Sequence, residues 1–446
     1  MKSSPHILLV NPWIHDFAAY DFWARPYGLL LLAAILGLHD FQVTYLDCLD
    51  RFHPRAASRP GPWRHGRGPY LKTPIPRPPG LEDVPRTFSR YGILPEWLHA
   101  DLESAGRPDL ILVTGLMTYW ASGVAETIGA LRRVFPGVPV VLGGVYATLC
   151  PAHARERSGA DRVVAGPGEK AVLDLAAEAA GRRPDLRFDP DDLDTHPFPA
   201  LDLQRRIPFA PLLTVRGCPY RCAYCASSRL APVRRRQSPA RVLAEIRHWH
   251  GRFGVRDFVF YDDALLVDAE THALPLFEGI AAAGWDLRLH TPNALHIRCI
   301  DAPLARAMRR AGMRTVRLGL ETTDFHGRRN LDAKVTGEEF KRAVACLREA
   351  GFSAGQLGAY LLVGLPGQSM AAVEAAVKVV RQSGITPIPA HYSPIPGTPL
   401  WPAARAASRY DLEADPLFTN NAVWPCRPEG FDWRALSRLK RLCAGR

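Results

Sequence analysis

The stretch that decides the fold is residues 216–225, which read Arg-Gly-Cys-Pro-Tyr-Arg-Cys-Ala-Tyr-Cys. This cysteine loop places Cys218, Cys222 and Cys225 in a CxxxCxxC spacing, with no fourth cysteine close by. A closed structural metal site uses four protein ligands, and an iron–sulfur cluster that only carries electrons is normally held by four cysteines. Three thiolates can bind three irons of a cubane and leave the fourth iron open to a small molecule. We therefore expect a [4Fe–4S] cluster here, at the centre of the chemistry.

Two other interpretations of the loop are a structural zinc site and a chance grouping of core cysteines. Zinc would need a fourth ligand, and the nearest candidates downstream are distant in sequence. Unconnected core cysteines do not normally gather on a loop bounded by Gly217 and Pro219. The chain has nine cysteines, an odd number that is too small for a disulfide scaffold, and this suits a reducing compartment.

The chain on either side of the cysteine loop alternates between apolar strand-like runs and helical segments. From about residue 208 onward the predicted strands are 212–215, 257–261, 287–290, 315–320, 358–363 and 387–392. Six such units predict a partial (βα)6 barrel, because a full eight-stranded barrel takes about 250 residues. Catalytic groups of such barrels lie at the carboxyl ends of the strands, and the cysteine loop follows the first of them.

The first half of the chain shows the same alternation. Its predicted strands are 7–10, 42–46, 110–115, 138–142 and 161–165. Continuous apolar strands separated by helices predict a doubly wound, Rossmann-like parallel sheet that is covered on both faces. We expect an α/β domain over 1–181 with an irregular insertion at 51–90, a linker at 182–205, a barrel core at 206–402 and a C-terminal extension at 403–446.

Composition limits the partners and the location. The chain has 446 residues and a formal net charge of +12, but the arginines are scattered. We therefore expect a solvated basic surface and no nucleic-acid partner. The longest apolar segment, 29–38, is much shorter than the ~20 residues that span a bilayer, and the first residues lack a signal-peptide pattern. We expect a cytoplasmic enzyme with no membrane contact.

The cysteine loop resembles the cluster motif of the radical S-adenosylmethionine (radical SAM) enzymes, with Tyr224 where that family keeps an aromatic residue. The resemblance extends to about residue 400. It implies that SAM chelates the open iron and is cleaved by one electron to a 5′-deoxyadenosyl radical, which abstracts hydrogen from the substrate. It also implies SAM contacts at the loop and the strand ends, namely Tyr224, Asp262, Asp263, Asn293, Glu321, Gly364 and Gly367.

Plainer roles are open for several of these residues. Asp262 and Asp263 could cap a helix beginning at Ala264, and Gly364 with Gly367 could form a simple turn. Glu321 is the exception, because a glutamate that follows a buried strand is costly unless it is paired, which favours a functional role.

The first half of the chain resembles the cobalamin-binding domain that often precedes a radical SAM core. The relevant residues are Thr114 and Leu116 after one strand, and Gly143 and Gly144 after the next. In that family a small hydroxyl residue and a glycine pair admit the nucleotide tail of cobalamin. The family's lower-ligand motif DxHxxG is missing, and His15 is the only histidine on the corresponding loop. Binding of cobalamin without a histidine ligand and absence of cobalamin therefore both remain open.

These patterns predict an enzyme that cleaves SAM reductively. If cobalamin binds, the expected reaction is methyl transfer to a small metabolite or natural-product intermediate. If cobalamin does not bind, the expected reaction is ring formation, rearrangement or oxidation. The expected partners are a small-molecule substrate and an electron donor such as flavodoxin or ferredoxin. The alternatives are a tRNA-modifying radical SAM enzyme and a non-catalytic iron–sulfur or cobalamin sensor.

Overall fold

The structure is a computed structural model. It describes residues 5–56, 64–181, 184–325, 327 and 331–444. Internal contacts divide the chain into two compact units. The first unit comprises residues 1–208 and 412–423, and the second comprises 209–411 and 424–446.

The first unit is built from eight strands and six helices among its described residues. They are β1 (His6–Asn11), β2 (Ile14–Asp16), α1 (Tyr27–Leu38), β3 (Gln42–Asp47), β4 (Lys72–Pro74), β5 (Ser89–Tyr91), α2 (Pro95–Ala105), β6 (Leu110–Gly115), α3 (Ala121–Val134), β7 (Val140–Gly143), α4 (Gly144–Leu149), α5 (Pro151–Arg157), β8 (Arg162–Val163) and α6 (Glu169–Ala180).

The main sheet of the first unit has the strand order β3-β1-β6-β7-β8, and all its pairs are parallel. Every residue of β1 and β6 is buried, as expected for central strands that are covered on both faces. The predicted doubly wound sheet is therefore confirmed. Its strand order reverses between β1 and β6, and ligands of such sheets bind beyond the carboxyl ends at this point.

Two segments of the first unit differ from the prediction. The predicted insertion at 51–90 includes β4 and most of β5, which pair antiparallel with each other, and β5 also pairs with β2. The predicted linker is not a free connection, because it packs along helix α1. The backbone N–H of Ala200 donates to the carbonyl of Leu30, and the Arg187 guanidinium donates to the carbonyl of Leu38. Its described residues, 184–205, belong to the first unit.

The second unit contains the cysteine loop. Its elements are β9 (Ala210–Leu212), β10 (Val215–Arg216), α7 (Ser227–Leu230), β11 (Arg235–Arg236), α8 (Pro239–Phe253), β12 (Asp257–Phe260), α9 (Ala273–Ala283), β13 (Arg288–His290), α10 (Ala302–Arg310), β14 (Met313–Glu321), α11 (Gly337–Glu349), β15 (Leu357–Val363), α12 (Met370–Gln382), β16 (Thr386–His391), α13 (Trp401–Ala407) and α14 (Trp433–Ala444).

Six strands of the second unit form one parallel sheet in the order β16-β15-β14-β13-β12-β9. Each strand lies beside the next one in the chain, with a helix between them from β12 onward, and the sheet does not close, since β9 and β16 each have one neighbour. This arrangement confirms the predicted partial (βα)6 barrel. All six carboxyl ends therefore lie at one edge.

The predicted C-terminal extension is divided between the two units. Residues 412–423 belong to the first unit, and residues 424–446 belong to the second. Within the second unit the Arg381 guanidinium at the end of α12 donates to the carbonyl of Leu442 in α14. Among the residues that the structure describes, every helix is too short or too polar to cross a lipid bilayer.

Candidate functional site

The cysteine loop leaves the carboxyl edge of the six-stranded sheet between two short strands. β10 and β11 pair antiparallel, with Val215 opposite Arg236 and Arg216 opposite Arg235, so both ends of the intervening segment are pinned. Gly217 opens this segment with a φ of +81°, and a Cβ there would lie 2.9 Å from the carbonyl oxygen of Ala231. Only glycine fits both constraints without strain.

The three thiols of the loop are free and half-buried. The Cys225 sulfur lies 3.2 Å from the Ser227 hydroxyl, and the Cys218 sulfur lies 3.7 Å from Nε2 of His296. Burial raises the pKa of the Cys222 thiol to about 11, although the Lys334 ammonium opposes this rise. The sequence did not single out His296, because 78 residues separate it from Cys218.

The donor set tests which metal group fits the loop. The loop offers three free thiols, and no fourth cysteine lies close to it in the sequence, whereas a closed zinc site has four protein ligands. Three thiolates suit a cluster that keeps one iron open. The residues present thus fit a [4Fe–4S] group with three protein ligands.

The two acids after β12 have different surroundings. Asp262 is buried, and its Oδ1 accepts hydrogen bonds from the Thr214 hydroxyl at 2.6 Å and from the Val215 backbone N–H at 2.5 Å. Burial raises the pKa of Asp262 to about 7 despite these bonds. Asp263 is exposed, and its carboxylate interacts with the hydroxyl of Ser227, the residue that contacts Cys225.

Asp262 therefore ties the end of β12 to the segment that enters the cysteine loop, and Asp263 lies on the side of the loop itself. No helix of the described chain begins at Ala264, so the alternative that these acids cap a helix is wrong. SAM contacts by Asp262 and Asp263 stay predictions, and the structure adds a positioning role for Asp262 through its Oδ1.

Asn293 and the glycine turn also lie at the carboxyl edge. The Asn293 amide follows β13 and donates to the carbonyl of Tyr261 at 2.6 Å, which joins two neighbouring strand ends. After β15, Gly364 and Gly367 have φ values of +93° and +73°, and the Gly364 N–H donates to the Gln368 side chain. The turn is built as the sequence predicts, and its approach to adenine stays a prediction.

Glu321 ends β14 in a left-handed backbone conformation, with a φ of +65°. Its buried Oε1 accepts from the Lys334 ammonium at 2.8 Å, which supplies the partner that a buried glutamate requires. The same ammonium donates to the Tyr224 hydroxyl at 2.9 Å. Two predicted residues, Glu321 and Tyr224, are thus joined by a lysine that the sequence did not reveal.

In the first unit the predicted cobalamin residues meet at the carboxyl edge of the main sheet. Gly115, which separates Thr114 from Leu116 at the end of β6, forms a β-bridge with Gly144. A Cβ on Gly144 would lie 2.6 Å from the Thr114 hydroxyl, whereas a Cβ on Gly143 would meet only one atom, at 3.9 Å. The two segments touch, and Gly143 leaves open space beside them, which fits a cradle for a bound group.

His15 has partners at both ring nitrogens. Its Nδ1 lies 3.2 Å from the Ser122 hydroxyl, and its Nε2 lies 2.6 Å from the carboxylate of Glu126. Burial would raise the pKa of Glu126, yet His15 and Arg90 lower it to about 2. Both ring nitrogens of His15 therefore face protein partners, next to the ion pair of Arg90 and Glu126.

Comparisons with known proteins agree with both halves of this description. Residues 212–380 match the Radical SAM superfamily, and residues 95–176 match the B12 binding domain. The uncharacterized methyltransferase PH0819 of Pyrococcus horikoshii is 27% identical over 331 residues, which cover 67% of this chain and 70% of that protein. The anaerobic magnesium-protoporphyrin IX monomethyl ester cyclase of Rubrivivax gelatinosus is 23% identical over 62% of this chain, but the match covers only 54% of the cyclase.

Solved structures share the fold at low sequence identity. The radical SAM methyltransferase TsrM from Kitasatospora setae, with cobalamin and a [4Fe–4S] cluster bound, aligns with a TM-score of 0.69 and 20% identity over 98% of this chain and 91% of that one. The cobalamin-dependent SAM radical enzyme OxsB, with aqua-cobalamin and SAM bound, aligns with a TM-score of 0.60 and 13% identity over 90% of this chain and 55% of that one.

Proposed function

Because the chain is a radical SAM protein with an N-terminal B12-binding domain, we propose that it is a cobalamin-dependent radical SAM methyltransferase acting on a small molecule. The observation that carries this proposal is the combination of two sites in one chain. One is the three-cysteine loop at the carboxyl edge of a (βα)6 sheet, and the other is the glycine cradle at the edge of a doubly wound sheet.

The residues present suit these roles. Cys218, Cys222 and Cys225 would hold the cluster. When bound, the cluster and SAM supply the radical chemistry, and cobalamin carries the methyl group. Polar groups at the same edge would orient the amino and ribose groups of SAM, and these are Asp263, Asn293 and Glu321. Thr114, Leu116, Gly143 and Gly144 would hold the nucleotide tail of cobalamin.

The substrate and the electron donor are parts of the same proposal. We expect a small metabolite or natural-product intermediate as substrate, and no nucleic-acid partner. One relative is TsrM with tryptophan substrate and a SAM analogue bound, which supports a small-molecule substrate. A cluster that gives up an electron must be reduced again, so we expect an electron-transfer protein such as flavodoxin or ferredoxin.

The test begins with anaerobic reconstitution of the cluster, followed by SAM and a reductant. We expect 5′-deoxyadenosine or S-adenosylhomocysteine as products, and a corrin absorbance spectrum in protein from cobalamin-fed cells. Cys222→Ala should abolish SAM cleavage and keep the circular dichroism spectrum of the fold. Cys346→Ala, a half-buried cysteine on α11, is the matched control and should retain cleavage.

Three results would contradict the proposal in different ways. SAM cleavage by the Cys222→Ala variant would contradict the assignment of Cys222 as a ligand of the cluster. An intact cluster that yields neither product would favour the sensor alternative. Protein that takes up no hydroxocobalamin would leave a radical SAM enzyme without the methyl carrier that the proposed reaction needs.

A further inference from the structure

Lys334 is the only buried lysine or arginine among the described residues of the second unit. It lies between β14 and α11, and 8% of its surface is exposed. A buried ammonium is costly unless charged or polar partners compensate for the lost water. Lys334 has two such partners, because its Nζ is 2.8 Å from Oε1 of Glu321 and 2.9 Å from the Tyr224 hydroxyl.

The segment around Lys334 is attached directly to the cysteine loop. The backbone N–H of Ala223 donates to the carbonyl of Leu331 at 2.8 Å. Asp332 accepts from the Lys334 backbone N–H through Oδ1 and lies 3.5 Å from the Tyr224 hydroxyl through Oδ2. The ammonium is therefore held beside Tyr224, one of the two residues that separate Cys222 from Cys225.

The end of β14 is shaped to admit this ion pair. A Cβ on Gly319 would lie 3.3 Å from both Oε1 of Glu321 and Nζ of Lys334. The parallel register shifts between Gly319 and Glu321, at the strand end where the glutamate carboxylate contacts the lysine. Backbone and side chains thus place the Lys334 ammonium and two carboxylates, those of Glu321 and Asp332, beside the cysteine loop.

We propose that Lys334 is a positioning residue that holds Tyr224 and Glu321 in place and whose charge raises the reduction potential of the cluster bound by the cysteine loop. The inference rests on the proposed function, because it requires the cluster. The reduced cluster is one charge more negative than the oxidised one. A fixed ammonium in a poorly solvated site favours the reduced form, and the carboxylates of Glu321 and Asp332 oppose it.

The test is an EPR-monitored redox titration of reconstituted protein whose iron content has been counted. Lys334→Met should move the midpoint potential to more negative values, by at least the equivalent of a tenfold change in the reduction equilibrium. Glu321→Gln should move it in the opposite direction. Lys334→Arg should restore a potential close to that of the wild type, because it keeps the charge.

Lys341→Met is the matched control, because Lys341 is an exposed lysine on α11 that pairs with Glu338. It should leave the potential unchanged. If Lys334→Met holds no cluster, the double variant Lys334→Met/Glu321→Gln removes both charges together and should give a potential more negative than that of Glu321→Gln alone.

Several outcomes would overturn the proposal. One is a fully loaded Lys334→Met protein with the wild-type potential. Another is a shift of the same sign in Lys334→Met and Glu321→Gln, which would report lost packing instead of charge. A double variant that matches Glu321→Gln would also overturn it. Failure of the wild type itself to bind a cluster would overturn the proposed function, and this inference with it.

Discussion

Asp262 and Asp263 show how neighbouring residues at one strand end take different roles. Both acids follow β12, and the chain there buries the first side chain and exposes the second. The buried carboxylate of Asp262 holds the Thr214 hydroxyl and the Val215 N–H, just before the cysteine loop begins. The exposed carboxylate of Asp263 interacts with the Ser227 hydroxyl at the other end of the loop.

Substitution by alanine should separate these two roles. Asp262→Ala leaves the buried Val215 N–H without its acceptor and removes one of the two partners of the Thr214 hydroxyl, and we expect it to cost about 1–3 kcal/mol of stability. Asp263→Ala should change stability by no more than about 0.5 kcal/mol, as is usual for an exposed site, but should reduce SAM cleavage. Urea unfolding and 5′-deoxyadenosine formation measure the two effects. Equal stability of the variants would contradict the positioning role of Asp262.

His15 supports a spectroscopic prediction. Because Ser122 and Glu126 lie beside both of its ring nitrogens, we expect that His15, in β2, does not ligate cobalt when cobalamin is bound. The EPR spectrum of bound cob(II)alamin should be the same in the wild type and in His15→Gln. A nitrogen splitting that is present in the wild type and lost in the variant would show that His15 leaves its ion pair to bind cobalt.

Helix α8 shows how an element can carry an unfavourable residue on its core-facing side. The helix is well defined at its start, where the Ser238 side chain accepts from the Arg241 N–H. Its buried stripe comprises Val242, Glu245, Ile246 and Trp249. Burial raises the pKa of Glu245 to about 7, although Arg241 and Trp249 oppose the rise. A glutamate on this stripe makes the stability of the element depend on pH.

The sign of this dependence follows from the raised pKa. Below about pH 4.5 the Glu245 carboxyl is protonated in the folded and the unfolded state, and its burial then carries no charge penalty. As the pH rises from about 4.5 to about 7, the unfolded state ionises first, so the free energy of unfolding falls. A shift from 4.5 to about 7 corresponds to roughly 3 kcal/mol. Glu245→Gln should therefore stabilise the protein by up to about 3 kcal/mol at pH 8 and hardly at all at pH 4.5.

Chemical denaturation at the two pH values provides the measurement for α8. Glu278→Gln, on the exposed side of α9, is the control and should have little effect at either pH. A stabilisation by Glu245→Gln that is the same at both pH values would show that the charge of Glu245 is not its cause.

At the scale of the whole molecule, the order of the chain does not follow the two units. After the barrel strands, residues 412–423 return to the first unit before the chain ends in the second. The contact that anchors this return is buried: the Asn420 amide donates to Asp16 at 3.0 Å, and the Trp120 indole donates to the same carboxylate. The first unit is therefore completed by a segment from near the carboxyl end.

Asn420→Ala should weaken the first unit selectively. The substitution removes a buried donor from Asp16, and we expect it to cost about 1–3 kcal/mol there. Hydrogen–deuterium exchange of the full-length protein should become faster in peptides from β1, β2 and 412–423, and should stay unchanged in peptides from β12 to β14. An equal change in exchange rate across both units, or no change at all, would contradict the assignment of residues 412–423 to the first unit.

Local sequence patterns determined the elements and the cysteine loop. Short apolar runs such as 7–10 and 110–115 are typical of central strands that are covered on both faces, and they are buried strands in the structure. The CxxxCxxC spacing determined a site with one ligand too few, because the ligands lie within eight residues of one another. The order of the strand ends along the chain could also be predicted, because each strand is itself a pattern of a few neighbouring residues.

The tertiary structure alone decided which side chains meet. Lys334 reaches Tyr224 across 110 residues, His296 approaches Cys218 across 78, and Asn420 reaches Asp16 across 404. No local period encodes such pairs, because they depend on how strands and loops stack after folding. The same reason explains Asp262 and His15, whose residue types suggested ligands. Their partners come from distant segments: Asp262 contacts the residues that lead into the cysteine loop, and His15 lies between Ser122 and Glu126.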